Sequence, residues 1–137
     1  MLNKTDLKQI SQTRLAEARI LLRNKKYEGS IHLCVCSIEM ALKKIICDTL
    51  KWKGFPEKRG EFSELESFKT HRAQILLKLS GRELEIKKNT RLWANWSIIQ
   101  NAEYFDIEIR YKPKGTVNKV QAEEVIDATS HLLRFLK

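Results

Sequence analysis

The chain has 137 residues and a formal net charge of +9, with 26 Lys and Arg against 17 Asp and Glu. Hydrophobic residues make up 42% and charged residues 31%, a balance that excludes a disordered chain and a membrane-embedded one. A chain of this length buries enough apolar surface to fold without disulfides or metal, so we expect one domain over residues 1–137. The N-terminal residues lack the apolar core of a signal peptide, and we therefore expect a soluble, cytoplasmic protein with no membrane partner.

Apolar residues that recur with the helical period predict five helices along the chain. Their spans are about 5–23, 27–50, 63–79, 90–110 and 119–136. Ser63 with Glu66 forms a capping box at the start of the third helix, and Gly81 ends it. No strand-like alternation competes with these helices. The predicted fold is therefore an all-α, up-and-down bundle of about five helices.

The second predicted helix is apolar on nearly all sides. Such a helix is either central in its own bundle or covered on its second side by a partner subunit. Glu39 lies at the edge of its buried stripe, and Arg14 lies within the apolar stripe of the first helix. If the two helices form an antiparallel hairpin, Arg14 and Glu39 are the natural candidates for a structural polar pair.

Two stretches between helices are predicted to lack regular structure. Residues 51–61 contain Gly54, Pro56 and Gly60 among several basic side chains and are typical of an exposed basic loop. Residues 82–89 are polar and charged and are interpreted as a connection. Cys34, Cys36 and Cys47 lack the spacing of a zinc site and are interpreted as buried free thiols. No metal and no cofactor are expected.

The positive charge indicates attraction to an anionic partner, because phosphate-rich molecules gain from long-range fields and from counterion release. The sequence has no Walker loop, GxGxxG, HExxH or GxSxG motif, which argues against the enzyme classes that depend on them. The charge itself does not tell whether the partner is a nucleotide or an RNA, or whether the charge is an incidental property of the surface.

Four segments occur in an order that resembles the HEPN superfamily, and the resemblance covers nearly the whole chain. The Arg110-Tyr111 element, with Pro113 close behind, is most similar to the branch that includes the C-terminal domain of sacsin, although Lys112 is inserted before the proline. The other three segments are the helical hairpin of residues 15–44, Lys69-Thr70-His71 leading into Ile75-Leu76-Leu77, and the C-terminal helix from Gln121 to Leu136.

The resemblance implies a helical bundle that forms a homodimer, with a basic groove near the dimer interface that holds a nucleotide or RNA. It also implies a separately encoded nucleotidyltransferase as a possible partner, as in a toxin–antitoxin pair. Nuclease members of the family carry an Arg followed after four to six residues by a His. Arg110 is followed at those spacings by Gly115, Thr116 and Val117. Without that imidazole the usual general acid/base group is missing, and no catalytic residue is assigned.

The residues expected to contact an anionic ligand combine donors with an aromatic ring that can stack on a base. They are Arg110, Tyr111, Lys112 and Lys114, with Lys43 and Lys44 extending the groove. The alternative is that Arg110 and Tyr111 only cap and pack a helix end. His71 is expected to make a structural hydrogen bond, and Trp93 and Trp96 to contribute core or dimer contacts.

Three hypotheses about function remain open at this point. The first is a non-catalytic HEPN-type module that binds a nucleotide or RNA. The second is an RNase or toxin with an atypical active site, in which another residue replaces the missing His. The third is a purely structural protein-interaction domain in which the charge is incidental.

Overall fold

The computed structural model describes residues 1–57, 68–109 and 116–137. Within these ranges it contains six α-helices and one two-stranded antiparallel sheet, which makes the fold an all-α helical bundle as predicted. In chain order the elements are β1 (Leu2–Asn3), α1 (Lys4–Arg23), α2 (Tyr27–Leu50), β2 (Gly54–Phe55), α3 (Ala73–Ser80), α4 (Glu83–Lys88), α5 (Thr90–Ile109) and α6 (Lys119–Phe135).

Helices α1 and α2 form the expected hairpin and meet along a seam of small hydroxyl side chains. Ser11 Oγ donates a hydrogen bond to the Ser37 carbonyl at 2.8 Å, and Ser37 Oγ donates one to the Ser11 carbonyl at 2.7 Å. Ser30 Oγ donates to the Ala18 carbonyl at 2.8 Å. Each buried hydroxyl is therefore satisfied by the facing backbone, which allows the two helices to approach closely.

Helix α2 is the central element of the bundle. It contacts α1, α3, α5 and α6 as well as β2, and Ile38, Leu42 and Ile46 on it are fully buried. Neighbours from the same chain thus cover most of its apolar surface. This explains the all-round apolar pattern without a partner subunit.

The predicted pair between Arg14 and Glu39 is wrong. Arg14 Nη1 instead lies 2.7 Å from Glu17 Oε1, one turn along α1, and its side chain is 37% exposed. A side chain of this length can lay its aliphatic stem along apolar surface and keep its guanidinium near solvent, so Arg14 needs no buried partner. Glu39 has other partners, Lys43 and His71.

The stretch 51–61 is not the exposed loop that its composition suggests. Gly54, Phe55 and Pro56 are buried, because residues 54–55 pair with residues 2–3 at the start of the chain, with Leu2 opposite Phe55. The ring of Trp52 packs edge-on against Phe68, with 4.9 Å between their centroids. Residues 58–61 of the predicted loop lie outside the described residues.

The third helix ends as predicted but begins later. It starts at Ala73 rather than near residue 63, and residues 69–72 are not helical. The proposed capping box of Ser63 and Glu66 lies outside the described residues. Gly81 ends the helix with a left-handed φ of 77°, a conformation that glycine adopts without strain. Residues 82–89, interpreted as a connection, contain the short helix α4.

Helix α6 is fixed at its start by a complete capping box. Asn118 Oδ1 accepts a hydrogen bond from the Gln121 backbone N–H, and Gln121 Oε1 accepts one from the Asn118 backbone N–H. Leu132 and Ala122 on this helix are fully buried against the core. Among the residues that the structure describes, none of the helices combines the length and the apolar character needed to cross a membrane.

Candidate functional site

The predicted ligand-binding residues divide into two groups in the structure. Arg110, Tyr111, Lys112 and Lys114 lie outside the described residues, directly after the end of α5. Lys43 and Lys44 lie on α2, where each is held by a carboxylate one helical turn away. Lys43 Nζ lies 2.8 Å from Glu39 Oε1, and Lys44 Nζ lies 2.9 Å from Asp48 Oδ2.

Lys43 and Lys44 line different cavities. Lys43 faces the cavity that contains Phe55 and His71, whereas Lys44 faces one between α1, α2 and the end of α6. The second of these has a volume of about 330 Å³, and Lys8 and Lys137 line it together with Lys44. The structure therefore does not bring the two lysines into one continuous groove.

Six titratable side chains besides Arg72 line a cleft of about 440 Å³ between α2, α5 and the segment that leads into α3. We refer to it as the histidine cleft. It is lined by His32, Val35, Cys36, Glu39, His71, Arg72, Glu103, Asp106 and Ile107.

One wall of the histidine cleft is built around the carboxylate of Glu39. Its Oε1 accepts hydrogen bonds from His71 Nδ1 at 2.6 Å and from Lys43 Nζ at 2.8 Å. The side chains of Glu39 and Lys43 are only 11% and 9% exposed, whereas the His71 ring is 86% exposed. Lys43 Nζ also lies 5.2 Å from the centre of the Phe55 ring, a cation–π contact. The buried charge is thus compensated, and His71 presents its ring to the cleft.

The opposite wall holds a second imidazole on a second carboxylate. His32 Nδ1 lies 2.9 and 3.0 Å from the two carboxylate oxygens of Asp106, whose side chain is 9% exposed. A carboxylate accepts hydrogen bonds, so Nδ1 of His32 carries the proton. Its Nε2 is directed toward Cys36 Sγ, 3.6 Å away. Cys36 is half-buried, in contrast to the prediction that all three thiols are buried, whereas Cys34 and Cys47 are buried as expected.

The third carboxylate, Glu103, fixes the start of α3. Its Oε2 accepts a hydrogen bond of 2.8 Å from the backbone N–H of Ala73, the first residue of that helix. Burial raises the pKa of Glu103, and the negative charges of Glu39 and Asp106 add to the rise, against the lowering effect of the Ala73 hydrogen bond and Arg72. Glu103 therefore interacts electrostatically with both of the other carboxylates of the cleft.

Charges of both signs line the histidine cleft. Glu39, Glu103 and Asp106 supply carboxylates, and Arg72 supplies a guanidinium. Lys43, the ion-pair partner of Glu39, lines the neighbouring cavity.

Sequence reasoning assigned no functional role to His32, Glu103 or Asp106. The sequence does contain a pattern that could have indicated a site on α2. Residues 32, 36, 39 and 43 recur at intervals of three and four and form a polar stripe on a helix that is otherwise largely apolar. Glu103 and Asp106 are likewise three residues apart on α5. Nothing in the sequence, however, indicates that these two stripes face each other.

Within the described part of the chain, no group of three or more His, Cys, Asp or Glu side chains has the arrangement of a metal site. No protein-family model, curated protein or solved structure matches the chain. The functional argument therefore depends on the residues of the cleft.

Proposed function

We propose that the chain is a HEPN-type binding module that engages RNA or a nucleotide at the histidine cleft and through the basic residues that follow α5 in the sequence. The observation that carries the proposal is the cleft itself, where the imidazoles of His32 and His71 and the guanidinium-bearing Arg72 line one cavity. The guanidinium donates hydrogen bonds to phosphate oxygens, often two at a time. Asp106 and Ile107 line the cleft near the end of α5, and Arg110, Lys112 and Lys114 follow within a few residues in the sequence.

Binding is tested with a fluorescently labelled single-stranded RNA and a labelled nucleotide, followed by fluorescence anisotropy at several salt concentrations. We expect the triple variant Arg110→Ala, Lys112→Ala, Lys114→Ala to weaken RNA binding by at least about tenfold and to reduce its dependence on salt, because phosphate contacts release counterions.

A matched control removes three cations around the start of α5. Lys87→Ala, Lys88→Ala, Arg91→Ala changes three exposed cationic residues, two at the end of α4 and one in the first turn of α5. Arg91 precedes Asp106 by 15 residues on the same helix, which is about 22 Å at a rise of about 1.5 Å per residue. We expect this control to bind RNA nearly as well as the wild type. Equal losses in both triple variants would indicate attraction by net charge alone and would contradict a defined site.

A second candidate function, metal-independent RNA cleavage, is favoured by the pairing of both cleft histidines with carboxylates. Each Nδ1 is held by Asp106 or Glu39, the arrangement that orients an imidazole for proton transfer. One imidazole would take the proton of the RNA 2′-OH as it attacks phosphorus, and the other would protonate the departing 5′ oxygen. These two side chains would replace the missing downstream His.

Cleavage is tested by incubating labelled RNA with the pure protein in the presence of a chelator. We expect His32→Ala and His71→Ala each to reduce the rate by about 100-fold or more if the imidazoles act as acid and base, with a bell-shaped pH profile. RNA that remains intact with the wild type at all pH values would rule out this candidate and leave the binding function.

The proposed module acts as a homodimer and works with a separately encoded nucleotidyltransferase. The support for a dimer is that α5 exposes large apolar side chains, Trp93, Tyr104 and Ile107, although its other side is in the core. Co-purification with a nucleotidyltransferase encoded beside the gene tests the second part.

A further inference from the structure

Cys36, His32 and Asp106 form a linked series across the histidine cleft. Asp106 holds His32 Nδ1 at 2.9 Å, and the opposite ring nitrogen, Nε2, lies 3.6 Å from Cys36 Sγ. Because Nδ1 carries the proton that faces the carboxylate, the lone pair of Nε2 is available to the Cys36 thiol. The three side chains thus stand in the order of nucleophile, base and orienting carboxylate, an arrangement that activates a cysteine in enzymes.

The three cysteines of the chain lie in contrasting environments. Burial raises the pKa of Cys34 to about 11 and that of Cys47 to about 11, so both remain thiols at neutral pH. Cys36 is half-buried and lines a cleft that is open to solvent. A reactive thiol requires both access and a partner that takes its proton. Of the three, Cys36 has both.

The cleft surrounds Cys36 with charges of both signs. Among the residues that the structure describes, the titratable and charged groups that line it are Glu39 on α2, His71 and Arg72 before α3, and Glu103 and Asp106 on α5, besides His32 itself. The carboxylates disfavour a thiolate, while Arg72 favours it. Contact with His32 is the feature that separates Cys36 from the other two thiols.

We propose that Cys36 is a nucleophilic thiol that forms a mixed disulfide with small disulfides such as oxidised glutathione. The thiol proton moves to His32 Nε2, and Cys36 Sγ attacks one sulfur of the disulfide. A new S–S bond forms to Cys36, the original S–S bond breaks, and the departing thiolate takes the proton from His32. Cys36 is oxidised and the departing half is reduced, so the small disulfide is the only oxidant required.

The cleft has room for the adduct. Its volume of about 440 Å³ is within the range of small-molecule sites. Thiol–disulfide exchange needs an accessible thiolate and no bound metal. The reaction is independent of RNA binding, so its outcome does not depend on the proposed function.

The experiment treats the full-length native protein with oxidised glutathione at pH 7 and follows the adduct by intact mass and peptide mapping. We expect one glutathione per chain, located on Cys36, with Cys34 and Cys47 unmodified until the protein is denatured. Cys36→Ser should remove the adduct. An adduct on Cys34 or Cys47 at an equal rate, or no adduct on Cys36, would overturn the proposal.

The role of His32 is measured by the pH dependence of alkylation of Cys36 with iodoacetamide. In the wild type we expect the midpoint to lie at least about one unit below the value of about 8.5 for a free cysteine. His32→Gln should return the midpoint to that value and slow the reaction at pH 7 by roughly fivefold, whereas His131→Gln, which changes an imidazole on α6, should leave both unchanged. A wild-type midpoint at or above that of free cysteine would overturn the proposal even if His32→Gln fails to fold.

Discussion

Glu39 is the acidic partner of a buried ion pair. Its carboxylate and the ammonium of Lys43 are both about nine-tenths buried and 2.8 Å apart. A buried ion pair of this kind adds little net stability relative to apolar residues, but the loss of one partner leaves the other charge buried and uncompensated. The same carboxylate oxygen also holds His71. A substitution of Glu39 should therefore change both the stability of the protein and the position of His71 in the cleft.

We therefore expect the single substitution of Glu39 to destabilise the protein more than the substitution of Glu39 and Lys43 together. Glu39→Gln should lower the free energy of unfolding by about 3 kcal/mol, because Lys43 keeps its charge without a counter-ion. The double variant Glu39→Gln, Lys43→Met should recover most of that loss. Urea unfolding followed by circular dichroism measures both, and a single variant as stable as the wild type would show that Lys43 is solvated in solution.

At the scale of elements, the position of α3 depends on α5. The first backbone N–H of α3, from Ala73, donates to Glu103, a residue 30 positions later in the chain. The N-cap residue Arg72 offers no side-chain hydrogen bond of its own. A cap supplied from another helix ties the two helices together and holds the adjacent His71 and Arg72 at the cleft.

The raised pKa of Glu103 gives this contact a defined pH dependence. A carboxyl whose pKa is higher in the folded state than in the unfolded state binds more protons when folded, so its contribution to stability falls as pH rises from the unfolded pKa through the folded one. Glu103→Gln keeps an acceptor for Ala73 and removes the charge. We expect it to be at least as stable as the wild type at pH 7 and to lose this advantage at about pH 4.

Glu103→Ala provides the comparison, because it removes the acceptor as well as the charge. It should cost about 1 kcal/mol, the usual effect of deleting a helix cap. Thermal unfolding of the three proteins at pH 4 and pH 7 checks the prediction. A Gln variant that is less stable than the wild type at pH 7 by as much as the Ala variant would contradict it.

At the scale of the whole molecule, the start of the chain supports the buried ion pair of Lys43 and Glu39. Residues 2–3 pair with 54–55, and Phe55 packs under Lys43. A Cβ added at Gly54 would lie 2.5 Å from the Leu2 carbonyl oxygen, which is closer than real contacts allow. The close approach of two backbones therefore requires glycine at this position.

Gly54→Val should separate the two strands and destabilise the protein by about 2 kcal/mol through overpacking. Hydrogen exchange should increase at residues 2–3 and 54–55 first, while α6 at the other side of the bundle keeps its protection. Unchanged exchange at residues 54–55 would show that the pairing is absent in solution.

The proposed dimer is also tested at the scale of the whole molecule. We expect light scattering to give twice the 16.1 kDa of one chain and Tyr104→Asp to halve that mass, since the Tyr104 side chain is 66% exposed on α5. Ile20→Asp, at a 48% exposed position on α1, is the matched control and should leave the mass unchanged. A wild type that stays monomeric at high concentration would refute the proposed dimer.

The sequence by itself determined the elements whose signals are local. Helices α1, α2, α5 and α6 begin and end within about one residue of the predicted positions, because apolar periodicity acts over a few residues. It also predicted the all-α class and the hairpin of α1 and α2.

Only the tertiary structure decided those features that depend on residues far apart in the sequence. Phe55 is buried because it meets the start of the chain, α3 begins where Glu103 can reach it, and the Glu39 carboxylate is paired with His71 rather than Arg14. His32 and Asp106 are 74 residues apart. A pattern along one helix shows which side chains share a face, but the packing of helices against one another decides which faces meet.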